Sequence, residues 1–115
     1  MSELEKLRDQ LRDFATEREW GQFHSPKNLA IALSVETSEL LEHFQWLSDE
    51  QSRALELEAK RDVAEETADI LLYLVQFADS LGIDLAREAT AKLQKNAIRY
   101  PVEKARGRLL KGDEL

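Results

Sequence analysis

The chain has no cysteine, two prolines and four glycines in 115 residues. Without cysteine there is no disulfide, no zinc–thiolate site, no iron–sulfur cluster and no thiol nucleophile, a composition that fits a reducing compartment. The glycines stand at 21, 82, 107 and 112 and the prolines at 26 and 101. The stretches between them lack the frequent turns a β-sheet needs, so long helices are expected. Basic residues are also in deficit, 16 Lys and Arg against 23 Asp and Glu, for a net charge of −7. A general nucleic-acid binder needs the opposite balance to displace counterions, and an anionic membrane surface would repel this one. No long hydrophobic run is present: Ile70–Leu81 is interrupted by Gln76, Asp79 and Ser80 and is too short and polar to span a bilayer. Met1–Asp13 is charged throughout and offers no apolar signal core. The expectation is a single soluble, cytoplasmic domain with no nucleic-acid or membrane partner.

What is there reads as helices. Leu4, Leu7, Leu11 and Phe14 recur at helical steps, predicting a first helix over about Glu3–Arg18. Gly21 ends that segment, leaving the large aromatics Trp20 and Phe23 in a loop. Ser25-Pro26 is a cap followed by a residue pre-shaped for the first helical position, so a second helix runs from Pro26 to about Trp46. Ser48–Ser52 reads as a polar connection, in which Ser48 and Gln51 have capping-box spacing. A third helix then extends to about Leu81, its second half apolar on nearly every side. Such a helix is buried on several sides, which in so short a chain points to a homo-oligomer, dimer or tetramer. Gly82 suits a C-terminal cap and Asp84 the next N-cap, for a fourth helix from Leu85 to about Arg99 stopped by Pro101. The predicted fold is all-α: a four-helix domain over 1–101, followed by a charged, loosely held tail over 102–115.

Chemistry falls to the acids. Neither His24 nor His43 belongs to a serine–acid constellation, and there is no glycine-rich phosphate loop. Glu36-x-x-Glu39 interrupts the apolar stretch Leu29–Phe44, and Glu66-x-x-Asp69 stands before the apolar run at Ile70. Residues three apart on a helix share a side. If the two helices pack antiparallel, all four carboxylates meet at one level. Each like-charged pair at about 6 Å then costs roughly 3 kcal/mol at an effective dielectric of 20, so a cation is required. Oxygen ligands without histidine favour a hard ion, Mg²⁺ or alternatively Mn²⁺. Taken singly, each pair also fits a solvated helix face. A di-iron bundle would need Glu-x-x-His, but the residues three before His43 and His24 are Leu40 and Gly21.

The order Glu36-x-x-Glu39, 26 residues, then Glu66-x-x-Asp69 is accompanied by the runs Glu17–Trp20, Gln22–Leu29, Phe44-Gln45-Trp46, Glu65–Leu71 and Asn96–Pro101. In this order they resemble the MazG-like all-α nucleoside triphosphate pyrophosphohydrolases, and most of all the dCTP pyrophosphatase branch, over nearly the whole chain. The resemblance implies a four-helix MazG-like bundle that cleaves a nucleoside triphosphate between its α and β phosphates, giving monophosphate and pyrophosphate. It implies that Glu36, Glu39, Glu66 and Asp69 hold magnesium. Glu39 is the candidate general base, although any of the four acids is chemically capable. It further implies that Trp46, Tyr73 and Trp20 wall the base pocket, Trp20 from across a subunit interface, and that Lys92, Asn96 and Tyr100 contact the phosphates. Trp46 and Tyr73 equally fit a core or interface, and the basic residues a solvated stripe; Lys95, Arg99 and Lys27 are alternative phosphate contacts. Leu11 stands where related vertebrate enzymes have a base-holding histidine, which leaves the base preference open. Two other readings remain: a non-catalytic helical interaction module, and a related phosphoribosyl-ATP pyrophosphohydrolase.

Overall fold

The computed structural model describes residues 1–109. Its elements are α1 (Glu3–Glu17), a single 3-10 turn at Trp20–Phe23, α2 (Pro26–Glu42), α3 (Asp49–Arg53), α4 (Leu57–Ser80), α5 (Leu85–Arg99) and α6 (Val102–Ala105), with no strand among the described residues. No helix among them is long and apolar enough to cross a membrane. The chain divides into two compact units, Met1–Ile83 and Asp84–Leu115.

In the first unit, side-chain caps set the helix starts. The Ser2 hydroxyl accepts from the Glu5 N–H, and the Ser25 hydroxyl accepts from that of Asn28 ahead of Pro26. α2 stops at Glu42, short of the expected Trp46. Its last turn tightens, with the N–H groups of His43 and Phe44 reaching back three residues to Leu40 and Leu41. The Ser48–Ser52 stretch is a helix start rather than a plain connection: Ser48 and Gln51 form the full reciprocal capping box of α3. The long helix α4 begins only at Leu57, after an extended residue at Glu56. Its end is a Schellman cap, with Ile83 N–H on Ala78 C=O (2.9 Å), Gly82 N–H on Asp79 C=O (3.1 Å), and Gly82 at φ 67°.

α4 is the axis of this unit, with α2 and α1 packed against it. Leu29 lines a cavity with Gln76, Asp79 and Ser80, whereas Glu36 and Glu39 meet Glu66. Rising numbers on α2 thus meet falling numbers on α4, and the two helices are antiparallel. The buried core of the described residues is Leu29, Val75 and Ala78, joined by Glu66. The apolar residues of α4 are not fully covered in this unit, since Leu71 remains exposed, as does Leu81 at its C-cap. α1 is clasped to α4 by a two-pronged ion pair, Arg12 Nε to Asp79 Oδ2 at 2.8 Å and Nη2 to Oδ1 at 2.6 Å.

In the second unit, the Asp84 carboxylate accepts from the Arg87 N–H (3.1 Å) to start α5, which spans the expected residues. The expected tail begins with a single helical turn, α6, whose N-cap is Pro101 at φ −64°. Residues 110–115 of the expected tail lie outside the described residues.

Candidate active site

Three of the four expected acids come together. One carboxylate oxygen each from Glu36, Glu39 and Glu66 lies within 4.8 Å of the others. Glu66 is buried, Glu36 half-buried and Glu39 exposed, so the group is a shelf with one open side. Asp69, expected at the same level, is exposed and outside this group. Three residues beyond Glu66, it is rotated by about 60° around α4, which turns it toward the rim.

The electrostatics follow from crowding. The Glu66 carboxyl is pushed from 4.5 up to about 8, first by hydrogen bonding to Glu36, then to Glu39, then by burial and by the negative charge of both neighbours. One proton is therefore retained where a cation would relieve the same repulsion. Glu36, Glu39 and Glu66 would each offer one oxygen to such a cation, which would neutralise their crowded charge. The donor set is entirely carboxylate, which suits a hard divalent ion.

A second feature lies toward the amino end of α2. Leu11, Ala15 and Leu29 form the apolar side of a cavity of about 250 Å³, and Gln76, Asp79 and Ser80 line it from α4. Arg12, Thr16, Gly21 and His24 complete it. The adjoining turn is built around an aromatic cluster. Trp20 meets Phe14 edge-on at 5.7 Å and His24 at 6.3 Å, and the Arg18 guanidinium covers Phe14 at 3.6 Å. Glu19 enters the turn in the left-handed region, φ 56°, which a non-glycine residue adopts only under constraint. That constraint is visible: the Gln22 amide donates to the Glu19 carbonyl (3.0 Å), and the Asn28 amide donates to the Phe23 carbonyl (2.9 Å). Trp20 keeps 43% of its surface exposed on this fixed turn.

The other expected binding residues are distributed. Tyr73 is half-buried on α4, between Glu66 and Gln76 in sequence. Trp46 is 87% exposed beyond the opposite end of α2 from Trp20. With 17 residues in α2, the two indoles are separated by about 25 Å of helix, so one chain does not bring them to a single base. Lys92, Asn96 and Tyr100 follow one another at four-residue steps in the second unit. There the Tyr100 N–H caps Asn96 C=O (2.8 Å) and the Arg99 guanidinium lies 5.6 Å from the Tyr100 ring. The sequence reading treats Gln76 and Asp79 only as breaks in an apolar run. The spacing of Gln76 from Glu66 was the available sign that it lies toward the same side of α4, whereas Asp79 is marked only by its pairing with Arg12.

Comparison with known proteins places these features in a lineage. The sequence profile described as the MazG-like family matches residues 31–115. The rat (Rattus norvegicus) protein dCTP pyrophosphatase 1 is 41% identical over 97% of this chain and 67% of its own. The human (Homo sapiens) protein of the same name is 40% identical over the same shares. The crystal structure of a pyrophosphatase from Archaeoglobus fulgidus superposes with a TM-score of 0.82 at 39% identity, covering 88% of this chain and 94% of that one.

Proposed function

The chain belongs to the MazG-like family and is a nucleoside triphosphate pyrophosphohydrolase; we propose that it is magnesium-dependent, cleaves between the α and β phosphates, and acts on dCTP or a modified counterpart. The observation that carries this reading is the three-carboxylate shelf formed by Glu36, Glu39 and Glu66 across two antiparallel helices. In the proposal, Glu36, Glu39, Glu66 and Asp69 hold the metal, with Asp69 turning in from the rim. When bound, magnesium supplies charge neutralisation of the triphosphate and polarisation of the attacked phosphorus. Manganese, also a hard ion, is an acceptable substitute.

The chain's own residues supply the rest. Glu39 is the exposed member of the shelf, whereas Glu66 is buried. Water therefore reaches Glu39, whose carboxylate takes the proton as the water oxygen bonds to the α phosphorus. The bridging P–O bond breaks, pyrophosphate leaves with the bonding pair, and the monophosphate remains. Trp20, on its fixed turn, offers a face for the base. Lys92, Asn96 and Tyr100 are assigned to the phosphates, to which they bring a cation and neutral donors.

Trp46 is assigned to the same base pocket from a second copy of the chain, because its own Trp20 lies about 25 Å away along α2. The exposed apolar residues Leu41, Leu71 and Leu81 support such a homo-oligomer, either dimer or tetramer. In this reading, residues 1–101 act as one catalytic domain in the cytoplasm, where nucleotide pools need clearing.

A panel of nucleoside triphosphates and phosphoribosyl-ATP, assayed with and without Mg²⁺, tests the proposal. Metal-dependent turnover of a cytosine nucleotide supports it. Turnover confined to phosphoribosyl-ATP, or unchanged by chelation, overturns it.

A further inference from the structure

One stripe of α4 joins the acids to the cavity. Glu66, Asp69, Tyr73, Gln76 and Ser80 follow at steps of three, four, three and four, which keeps them on one side of a helix. Glu66 belongs to the carboxylate shelf, and Gln76 and Ser80 line the cavity beside Gly21 and His24. From Glu66 to Gln76 is about 15 Å along α4, and from Glu36 to Leu29 about 10 Å along α2. A nucleotide anchored by its phosphates at the shelf and laid along this stripe passes Tyr73 and brings its base to the cavity mouth. The cavity, at about 250 Å³, has room for a base.

The polar wall there is rich in hydrogen-bond acceptors. The Gln76 amide nitrogen donates to the Leu72 carbonyl (3.2 Å), which leaves its oxygen as the group to offer. The Ser80 hydroxyl gives its hydrogen to Phe77 C=O (2.6 Å) and is likewise left as an acceptor. Both oxygens of Asp79 are held by Arg12, yet each retains a further lone pair. The same contact keeps this carboxyl below its ordinary range, so it accepts and does not donate at neutral pH. Facing this wall are the apolar Leu11, Ala15 and Leu29.

We propose that Gln76 and the Arg12-held Asp79 are specificity-determining residues that select a base carrying an exocyclic amino group over one carrying a carbonyl at that position. This rests on the nucleotide pyrophosphohydrolase reading above. It assigns discrimination to α4, opposite Leu11 and Ala15 on the apolar side that α1 gives the cavity.

The test is calorimetric titration of non-hydrolysable α,β-imido dCTP and dUTP, in the presence of Mg²⁺, into the wild type, Gln76→Leu and Asp79→Asn. The wild type should favour the dCTP analogue on the order of tenfold, the scale of one well-made base contact. Both variants should lose most of that preference while still binding the dUTP analogue. Gln76→Leu leaves the Arg12–Asp79 clasp intact, so it decides the matter if Asp79→Asn loosens the fold. A wild-type ratio near one, a ratio unchanged in Gln76→Leu, or no binding of either analogue overturns the assignment. The affinity ratio needs no turnover, so a wild type that binds selectively but hydrolyses nothing would refute the catalytic reading and not this one.

Discussion

A carboxylate oxygen of Glu66 on α4 lies within 4.8 Å of one from Glu36 on α2, and antiparallel helices hold both there. Two acids so close do not both ionise freely, and the buried one keeps its proton to about pH 8. Metal-free stability is linked to that proton. The folded state holds it far more tightly than the unfolded chain, whose value is near 4.5. The stabilisation is therefore complete below about pH 4.5 and is lost as pH rises toward 8. In chelator, the melting temperature should fall across this interval for the wild type. In Glu66→Gln, which mimics the protonated acid, this part of the fall should vanish.

The same proton must leave for a cation to bind. Magnesium titrations in two buffers of different ionisation enthalpy should reveal proton release below pH 8, and the affinity should rise with pH. Removing the metal with chelator should abolish turnover and lower the melting temperature at pH 8.

Glu39→Gln should reduce kcat by roughly 10²–10⁴-fold, the usual scale of a positioned proton acceptor. Its metal-free melting temperature should be unchanged or higher, because one of the crowded negative charges around Glu66 is gone. Asp69→Asn should behave alike in stability and should also abolish turnover if this rim acid joins the metal.

How much of this was legible in the sequence depends on how far apart the interacting residues are. The Ser25-Pro26 start of α2, the Gly82 cap and the limits of α5 are local signals, and all are seen. The break between α3 and α4 was not legible. Residues 54–58 contain neither glycine nor proline, and the extended Glu56 has no side-chain cap to announce it. The acid pairs were visible as spacing, but only the packing shows that Asp69 is exposed and outside the group of three. The left-handed Glu19 and the cavity were hidden for a similar reason. The cavity exists because α1 crosses α4 where Arg12 meets Asp79, residues 67 apart in the chain.

Core packing should respond strongly at one point. Leu29 is 2% exposed where α2 meets α4. Leu29→Ala should cost about 2–4 kcal/mol by lost burial and the space left behind, read from denaturant unfolding. Because this residue also walls the cavity, its affinity for nucleotide should fall as well.

The two-chain base pocket predicts complementation. Glu39→Gln and Trp46→Ala homo-oligomers should each be impaired. Mixing them under subunit exchange should restore part of the activity, since some sites then receive an intact shelf and an intact Trp46. No recovery in verified mixed oligomers would place both residues in the same chain's site.

The central claim is hydrolysis between the α and β phosphates at the carboxylate shelf. Phosphorus-31 NMR of dCTP incubated with the protein and Mg²⁺ tests it most directly. dCMP and pyrophosphate should appear together and in equal amounts, and at least about a hundredfold more slowly with Glu39→Gln. Orthophosphate with dCDP as the first products, or unchanged pyrophosphate release by Glu39→Gln, would contradict it.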